Sequence, residues 1–125
     1  MLKKTITYED FDGNQRTEDF YFNLTKAEII EMEVSVDGGL SETLKKIVED
    51  GDKKRIIEAL KDIIIKAYGV KSQDGTKFIK NDKLREEFIN SAAYSEIFME
   101  LATNESAAIA FVNGIIPKVP KEDQK

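Results

Sequence analysis

The sequence feature that most constrains the fold is a change of pattern at Thr25. Before it, residues 4–22 are rich in Thr, Tyr, Phe and Ile and are interrupted by Asp12-Gly13-Asn14, which is typical of a β-hairpin. After it, apolar residues recur at helical spacing. A lone hairpin is marginal in water and needs its apolar face covered. We therefore predict an α+β fold, with an N-terminal β-hairpin followed by a bundle of about five to six short helices.

The strand register can be argued from the side chains that each hairpin loop gathers on one face. A two-residue Asp12-Gly13 loop would pair Ile6 with Asp19, whereas a three-residue loop pairs Ile6 with Phe20. Only the second arrangement collects the apolar side chains on one face, namely Ile6, Tyr8, Phe20 and Phe22. Because a slip of one residue moves every side chain to the opposite face, we predict the three-residue loop.

Three helices are predicted before Gly69. Thr25-Lys26-Ala27-Glu28 is a capping box that opens the first helix, with Leu24 and Ile29 at the positions of a hydrophobic staple. Its inward residues would be Ala27, Ile30 and Val34. The second helix would run from about Leu40 to Glu49. Asp52 would cap the third, whose inward residues are Ile56, Leu60, Ile63, Ile64 and Ala67. Gly69 would follow the last turn of this helix as its C-terminal glycine.

The second half of the chain is predicted to hold a turn and three more helices. Residues 70–79 contain the turn residues Gln73-Asp74-Gly75-Thr76 and form either a short hairpin or a loop. Either Asn81 or Asp82 caps the next helix, a second contains Tyr94 to Ala102, and Asn104 caps the last. Pro117 ends it. We expect one domain over residues 1–116 and a disordered polar tail over 117–125.

Composition excludes several kinds of chemistry. The 125 residues include no Cys and no His, so disulfides, thiolate metal sites and the commonest general base are absent. The net charge of −5 argues against nucleic-acid binding, which favours a basic surface, and no apolar run is long enough to span a membrane. We expect no catalytic, cofactor-binding or metal-binding residues, no enzyme activity and a cytoplasmic location.

Charge is unevenly distributed along the chain. Residues 9–33 are rich in acids, whereas residues 71–85 are rich in lysine and arginine. These segments are either solvated faces that keep the protein soluble or complementary surfaces that allow self-association. Both interpretations remain open from the sequence.

The last two predicted helices contain more apolar surface than two short helices need to bury against each other. One interpretation is core packing, and the other is a partner-binding patch. The residues that carry the second interpretation are Tyr94, Phe98, Phe111, Ile115 and Ile116.

Two stretches of the chain resemble the short tail assembly chaperones of long-tailed phages and prophages of low-GC Gram-positive bacteria. The first runs from Lys3 to Asn14 and continues as Thr17 to Glu28. The second begins with Tyr68-Gly69-Val70-Lys71-Ser72 and includes Phe78-Ile79-Lys80, Leu84 to Phe88, Ala93 to Glu96 and Phe111 to Ile115. The resemblance is one of overall pattern and includes no catalytic motif.

The resemblance implies a binding role in phage tail assembly. Such a protein would bind the tape measure protein, keep it soluble and help to recruit tail tube subunits in the host cytoplasm, without remaining in the mature virion. Some members also have a longer form made by ribosomal frameshifting. The alternative from a different class is a small regulatory or ligand-binding protein of a mobile element.

Overall fold

A computed structural model of the chain describes residues 1–31, 46–47 and 49–117. Within these ranges four strands and five helices have defined bounds: β1 (Leu2–Glu9), β2 (Gln15–Phe22), α1 (Lys26–Glu31), α2 (Lys53–Ala67), β3 (Tyr68–Lys71), β4 (Phe78–Ile79), α3 (Asp82–Ile89), α4 (Ala92–Thr103) and α5 (Glu105–Ile115). The strands form one antiparallel sheet in the order β1-β2-β3-β4. The predicted α+β class with an N-terminal hairpin is confirmed.

The β1–β2 hairpin has the predicted apolar face but a different register. Ile6 lies opposite Glu18, not Phe20, so the predicted pairing is wrong by two residues. A shift of two keeps every side chain on its face. Ile6 and Phe22 are accordingly buried, and Tyr8 and Phe20 pack against the core.

The register is set by Asp10, which begins the turn one residue earlier than predicted. Its carboxylate accepts hydrogen bonds from the backbone N–H groups of Asp12 and Asn14 at 3.0 and 2.9 Å, and from Arg16 Nε at 2.6 Å. The loop is therefore Phe11-Asp12-Gly13, with Gly13 at a φ of +85°. A three-residue hairpin loop commonly ends on a residue in this left-handed conformation.

The capping box of α1 is confirmed. Thr25 Oγ1 accepts from Glu28 N–H at 3.1 Å, and Glu28 Oε1 accepts from Thr25 N–H at 2.8 Å. The predicted inward face is wrong, because Ile30 is 70% exposed while Ile29 packs against the core. Buried Leu24 precedes the helix, as a hydrophobic staple requires.

Part of the prediction for this region lies outside the described residues. Val34 is one such position. Most of the predicted second helix, from about Leu40 to Glu49, also falls there, although residues 46, 47 and 49 are helical.

Helix α2 agrees closely with its predicted pattern. The Asp52 side chain accepts hydrogen bonds from the N–H groups of Lys54 and Arg55, and the inward stripe is buried at Leu60, Ile63, Ile64 and Ala67. The role predicted for Gly69 is wrong. Gly69 is a residue of β3 and has no positive φ, because the chain passes directly from the helix into an extended conformation at Tyr68.

The C-terminal half resolves the alternatives that the sequence left open. Val70 pairs with Ile79, so residues 70–79 form a hairpin. Asn81, and not Asp82, caps α3 by accepting from Leu84 N–H at 2.8 Å. Asn104 caps α5 as predicted, accepting from Ala107 N–H at 3.0 Å. The helix ends before Pro117, and the remaining tail residues lie outside the described part.

The core lies between one face of the sheet and the helices, and aromatic rings occupy its centre. Phe22 contacts Phe111 edge-on with ring centroids 5.2 Å apart, and Tyr68 stacks on Phe88 at 4.1 Å. Such pairs stabilise beyond their buried area. No helix in the described part of the chain has both the length and the apolar character needed to cross a membrane.

Candidate partner-binding surface

The five residues predicted to bind a partner do not form one surface. Phe111 and Ile115 are 2% and 0% exposed and belong to the core. Tyr94, Phe98 and Ile116 are partly buried and pack against that core. Only these last three present side-chain surface to a partner in this conformation, while Phe111 and Ile115 support the helices from beneath.

Tyr94 and Phe98 form part of a stripe along α4. Together with Ala102 they recur every four residues, so they lie along the same side of the helix. The Tyr94 ring contacts Phe88 at 5.5 Å and Phe98 at 6.0 Å, which fixes its orientation. Burial raises the pKa of the Tyr94 hydroxyl, so the stripe is uncharged at neutral pH.

This stripe leads into a groove of about 250 Å³ between α2, α4 and α5. Ala102, one turn beyond Phe98, is one of its walls, and the complete lining is Ile56, Leu60, Leu101, Ala102, Thr103, Glu105 and Ala108. Most of the lining is apolar, and Glu105 adds one acidic group. We call this groove together with Tyr94 and Phe98 the α4 surface.

Sequence reasoning assigned most of these residues to inward helix faces but did not reveal the groove. The groove depends on where the start of α2 meets the junction of α4 and α5, which helical periodicity cannot show. The available signal was the pair of small residues, Ala102 and Ala108, on faces that otherwise carry large side chains. Small side chains leave space where larger ones would fill it.

A buried polar cluster is centred on Lys80, whose side chain is only 9% exposed. Its Nζ donates to Glu28 Oε2 at 2.7 Å, to the Asn23 carbonyl at 2.7 Å and to the Lys66 carbonyl at 2.8 Å. These contacts use all three donors of the ammonium group. Lys80 therefore ties α1, the end of α2 and the β3–β4 hairpin together and is not free to bind a ligand.

The electrostatics of this pair follow from its burial. Burial lowers the pKa of Lys80, although the bond to Glu28 opposes the shift. Burial would raise the pKa of Glu28, but hydrogen bonds from Lys80 and from the Thr25 backbone, together with the charge of Lys80, hold it below its ordinary value. Glu28 belongs to the acid-rich segment 9–33 and Lys80 to the basic segment 71–85. One contact between these two segments is therefore made within a single molecule.

Elsewhere on the described surface, large exposed apolar side chains are scattered, at Met1, Phe11, Ile30, Ile57, Val70, Ile79 and Met99. Val70 and Ile79 are direct cross-strand partners. The described residues include no group of three or more acidic side chains placed to hold a metal ion.

Comparison with known proteins identifies the family. A family model for phage tail assembly chaperones matches residues 1–124, which is nearly the whole chain. No curated protein and no solved structure matches the chain. The resemblance noted in the sequence is confirmed at the level of the family, and this family supports a chaperone role in tail assembly for the chain. The chain belongs to the phage tail assembly chaperone family.

Proposed function

We propose that this chaperone binds the tape measure protein, keeps it soluble and helps to recruit tail tube subunits. It acts by binding and without catalysis, in the host cytoplasm, and it leaves before the virion is complete. Membership in the family supports a role in tail assembly. The observation that carries the choice of partner is the α4 surface, which joins an apolar groove to a stripe of aromatic rings.

Such a surface suits an amphipathic helix of the tape measure protein. Helix-in-groove recognition places a few apolar side chains, spaced by one or two turns, into a groove of the partner. One such side chain would enter between Ile56 and Ala102, and the next turns would lie over Phe98 and Tyr94. Ile116, which also packs at the edge of the core, remains a proposed additional contact.

The proposal is tested by co-expression with the cognate tape measure protein, with solubility and co-purification as readouts. Ala102→Glu places a carboxylate in the wall of the groove, so we expect the tape measure protein to lose solubility and co-purification. Loss of one buried anchor commonly costs about 1 kcal/mol or more, or at least fivefold in affinity. Ser95→Glu is the matched control, because it adds the same charge to an exposed position of the same helix.

A second pair of variants examines the rest of the surface. Phe98→Asp and Ile116→Asp are compared with the wild type after circular dichroism and melting have shown that each folds. If these variants and Ala102→Glu all fold and bind normally, the contact lies elsewhere on the molecule. If the tape measure protein is equally soluble without the chaperone, the proposed function itself is wrong.

Recruitment of the tail tube requires a separate measurement. We expect the purified complex of chaperone and tape measure protein to capture tail tube protein, and the tape measure protein alone to capture much less. Mass spectrometry of purified virions should detect the tape measure protein and not the chaperone. Equal capture in both arms would argue against recruitment.

A further inference from the structure

Strand β1 has an outer edge that no described strand covers. It is first in the sheet order and pairs only with β2. Its eight residues contain no proline and they pair with β2 without a bulge. A strand edge of this length presents unpaired backbone groups, and natural proteins usually blunt or cover such an edge. Among the described residues, one ion pair joins β1 to a helix, from Lys4 to Glu100 at 2.7 Å, and Lys4 lies on the helix-facing side of the sheet.

The turn geometry shows which residues of β1 face this edge. Asp10 N–H donates to the Asn14 carbonyl at 2.8 Å. Because hydrogen-bonded pairs alternate along an antiparallel ladder, the even-numbered residues of β1 bond to β2. The odd-numbered residues direct their N–H and C=O groups outward. These are Lys3, Thr5, Thr7 and Glu9, and their side chains are all exposed.

We propose that a second copy of this chain pairs with this edge, antiparallel to β1 and related by a two-fold axis at Ile6. In this register Lys3 lies opposite Glu9 of the second copy, and Thr5 lies opposite Thr7. A two-fold axis repeats each pairing. Opposite charges and threonine pairs directly across strands both stabilise a sheet.

The charges select this arrangement over the simplest alternative. Parallel pairing in register would place Lys3 beside Lys3 and Glu9 beside Glu9, and like charges directly opposite each other are destabilising. In the proposed pairing the outward backbone N–H and C=O groups of all four residues find hydrogen-bonding partners, while the Thr5 and Thr7 hydroxyls keep their bonds to Asp19 and Thr17 of β2. The edge is therefore complementary to itself.

The dimer would join the four-stranded sheets of two copies into one continuous sheet. The groove of the α4 surface is lined by residues of α2, α4 and α5 and by none of β1. The pairing of the two β1 strands therefore uses no residue of the groove. The dimer and the binding of the tape measure protein are independent proposals, and the chaperone alone suffices to test the first.

The test measures mass by sedimentation velocity over a concentration series up to the millimolar range. Lys3→Glu creates two Glu–Glu pairs in the dimer, and Glu9→Lys creates two Lys–Lys pairs. We expect each variant to weaken dimerisation by about tenfold or more. An equimolar mixture of the two variants should dimerise again, because the heterodimer has an opposite-charge pair at both positions.

Lys77→Glu is the control for net charge, since it makes the same change at an exposed residue of the β3–β4 loop. It should dimerise as the wild type does. Circular dichroism must show that every variant folds. A wild type that stays monomeric throughout, or single variants that dimerise normally, would overturn the proposal.

Amide hydrogen exchange identifies the pairing directly. The N–H groups of Thr5 and Thr7 should become protected as protein concentration rises. Those of Lys4 and Ile6 should be protected at all concentrations, because they bond to β2. A dimer without concentration-dependent protection of Thr5 and Thr7 would use another surface and would refute the edge pairing.

Discussion

At the scale of single residues, Gly69 shows that a glycine can be required by packing instead of by backbone conformation. A Cβ atom at this position would lie 2.8 Å from Phe78 Cε2 and 3.0 Å from the Ile79 carbonyl oxygen. One of these neighbours is backbone, which cannot move without disturbing the β3–β4 pairing. From the sequence alone, Gly69 is predicted to follow the last turn of α2 as its C-terminal glycine.

Gly69→Ala should therefore destabilise the domain by about 1–3 kcal/mol, the usual cost of overpacking. Gly114→Ala is the matched control. Its added Cβ would meet the flexible end of Leu2 at 3.0 Å, and alanine gains helix propensity over glycine. Denaturant unfolding of both variants measures the difference. Equal loss in both would contradict the packing explanation.

The Lys80–Glu28 pair predicts a pH dependence. Because the folded pKa of Glu28 lies below its ordinary value, its contribution to stability is present above an unfolded pKa of about 4.3 and is lost as the pH falls through the folded pKa. Glu28→Gln removes the charge, and glutamine can still complete the capping box. The variant should be less stable than the wild type at pH 7.

The measurement is the difference in melting temperature between wild type and Glu28→Gln as a function of pH. A difference is needed because the carboxyl pKa values of two other residues are also lowered. That of Asp10 is lowered by the hydrogen bond from the Arg16 side chain and by backbone N–H groups of its turn, and that of Asp74 by hydrogen bonds from Thr76 and Ser72. We expect the difference to shrink as the pH falls below about 4.3. A difference that is constant down to pH 2 would show that the charge of Glu28 contributes nothing.

At the scale of elements, α2 is the helix whose sequence pattern and tertiary burial agree best. Its N-cap and its inward stripe lie where the sequence places them. The agreement has a physical cause, since a 15-residue helix with one apolar stripe has only one way to face a core. Helix α1 is shorter and followed the prediction less well.

Ile64→Ala should cost about 2–5 kcal/mol, the usual range for truncating a buried aliphatic side chain, because Ile64 is 0% exposed. Ile57→Ala is the control in the same helix, and since Ile57 is 46% exposed its loss should be much smaller. Chemical denaturation gives both free energies of unfolding. A cost below about 0.5 kcal/mol for Ile64→Ala, well under that range, would mean that α2 is wrongly placed in the core.

At the scale of the whole molecule, the α4 surface is built on the core and on the helix that packs against β1. Leu60, Leu101 and Ala108 line its groove and also belong to the core, and Glu100 of α4 pairs with Lys4 of β1. The hydrogen bonds of Lys80 involve none of the groove residues. A substitution in the groove can therefore change both stability and the proposed binding, so folding is measured for each variant.

Truncation after Pro117 tests the predicted domain boundary. The remaining residues are mostly polar and include Pro120, so we expect their deletion to leave the melting temperature and tape measure binding unchanged. Thermal unfolding and co-purification measure the two effects. A marked fall in melting temperature would show that the tail packs on the domain.

The α+β class, the apolar face of the hairpin and three helix N-caps, at Thr25, Asp52 and Asn104, could be predicted from the amino-acid sequence. These features depend on interactions over a few residues, which composition and spacing record directly. The resemblance of the chain to tail assembly chaperones was also visible at this level, in segments such as Thr17 to Glu28.

The amino-acid sequence alone did not reveal the hairpin register, the role of Gly69, the burial of Lys80 or the burial of two predicted partner residues. The register depends on hydrogen bonds within the hairpin, which Asp10 accepts from Asp12, Asn14 and Arg16. The other features depend on tertiary contacts: Gly69 lies against Phe78, Lys80 meets Glu28 across 52 positions, and Phe111 meets Phe22. Amphipathic spacing shows which side of a helix is apolar, but not whether that side meets the core or a partner. Packing against the sheet placed Phe111 and Ile115 inside and left Tyr94, Phe98 and Ile116 at the rim.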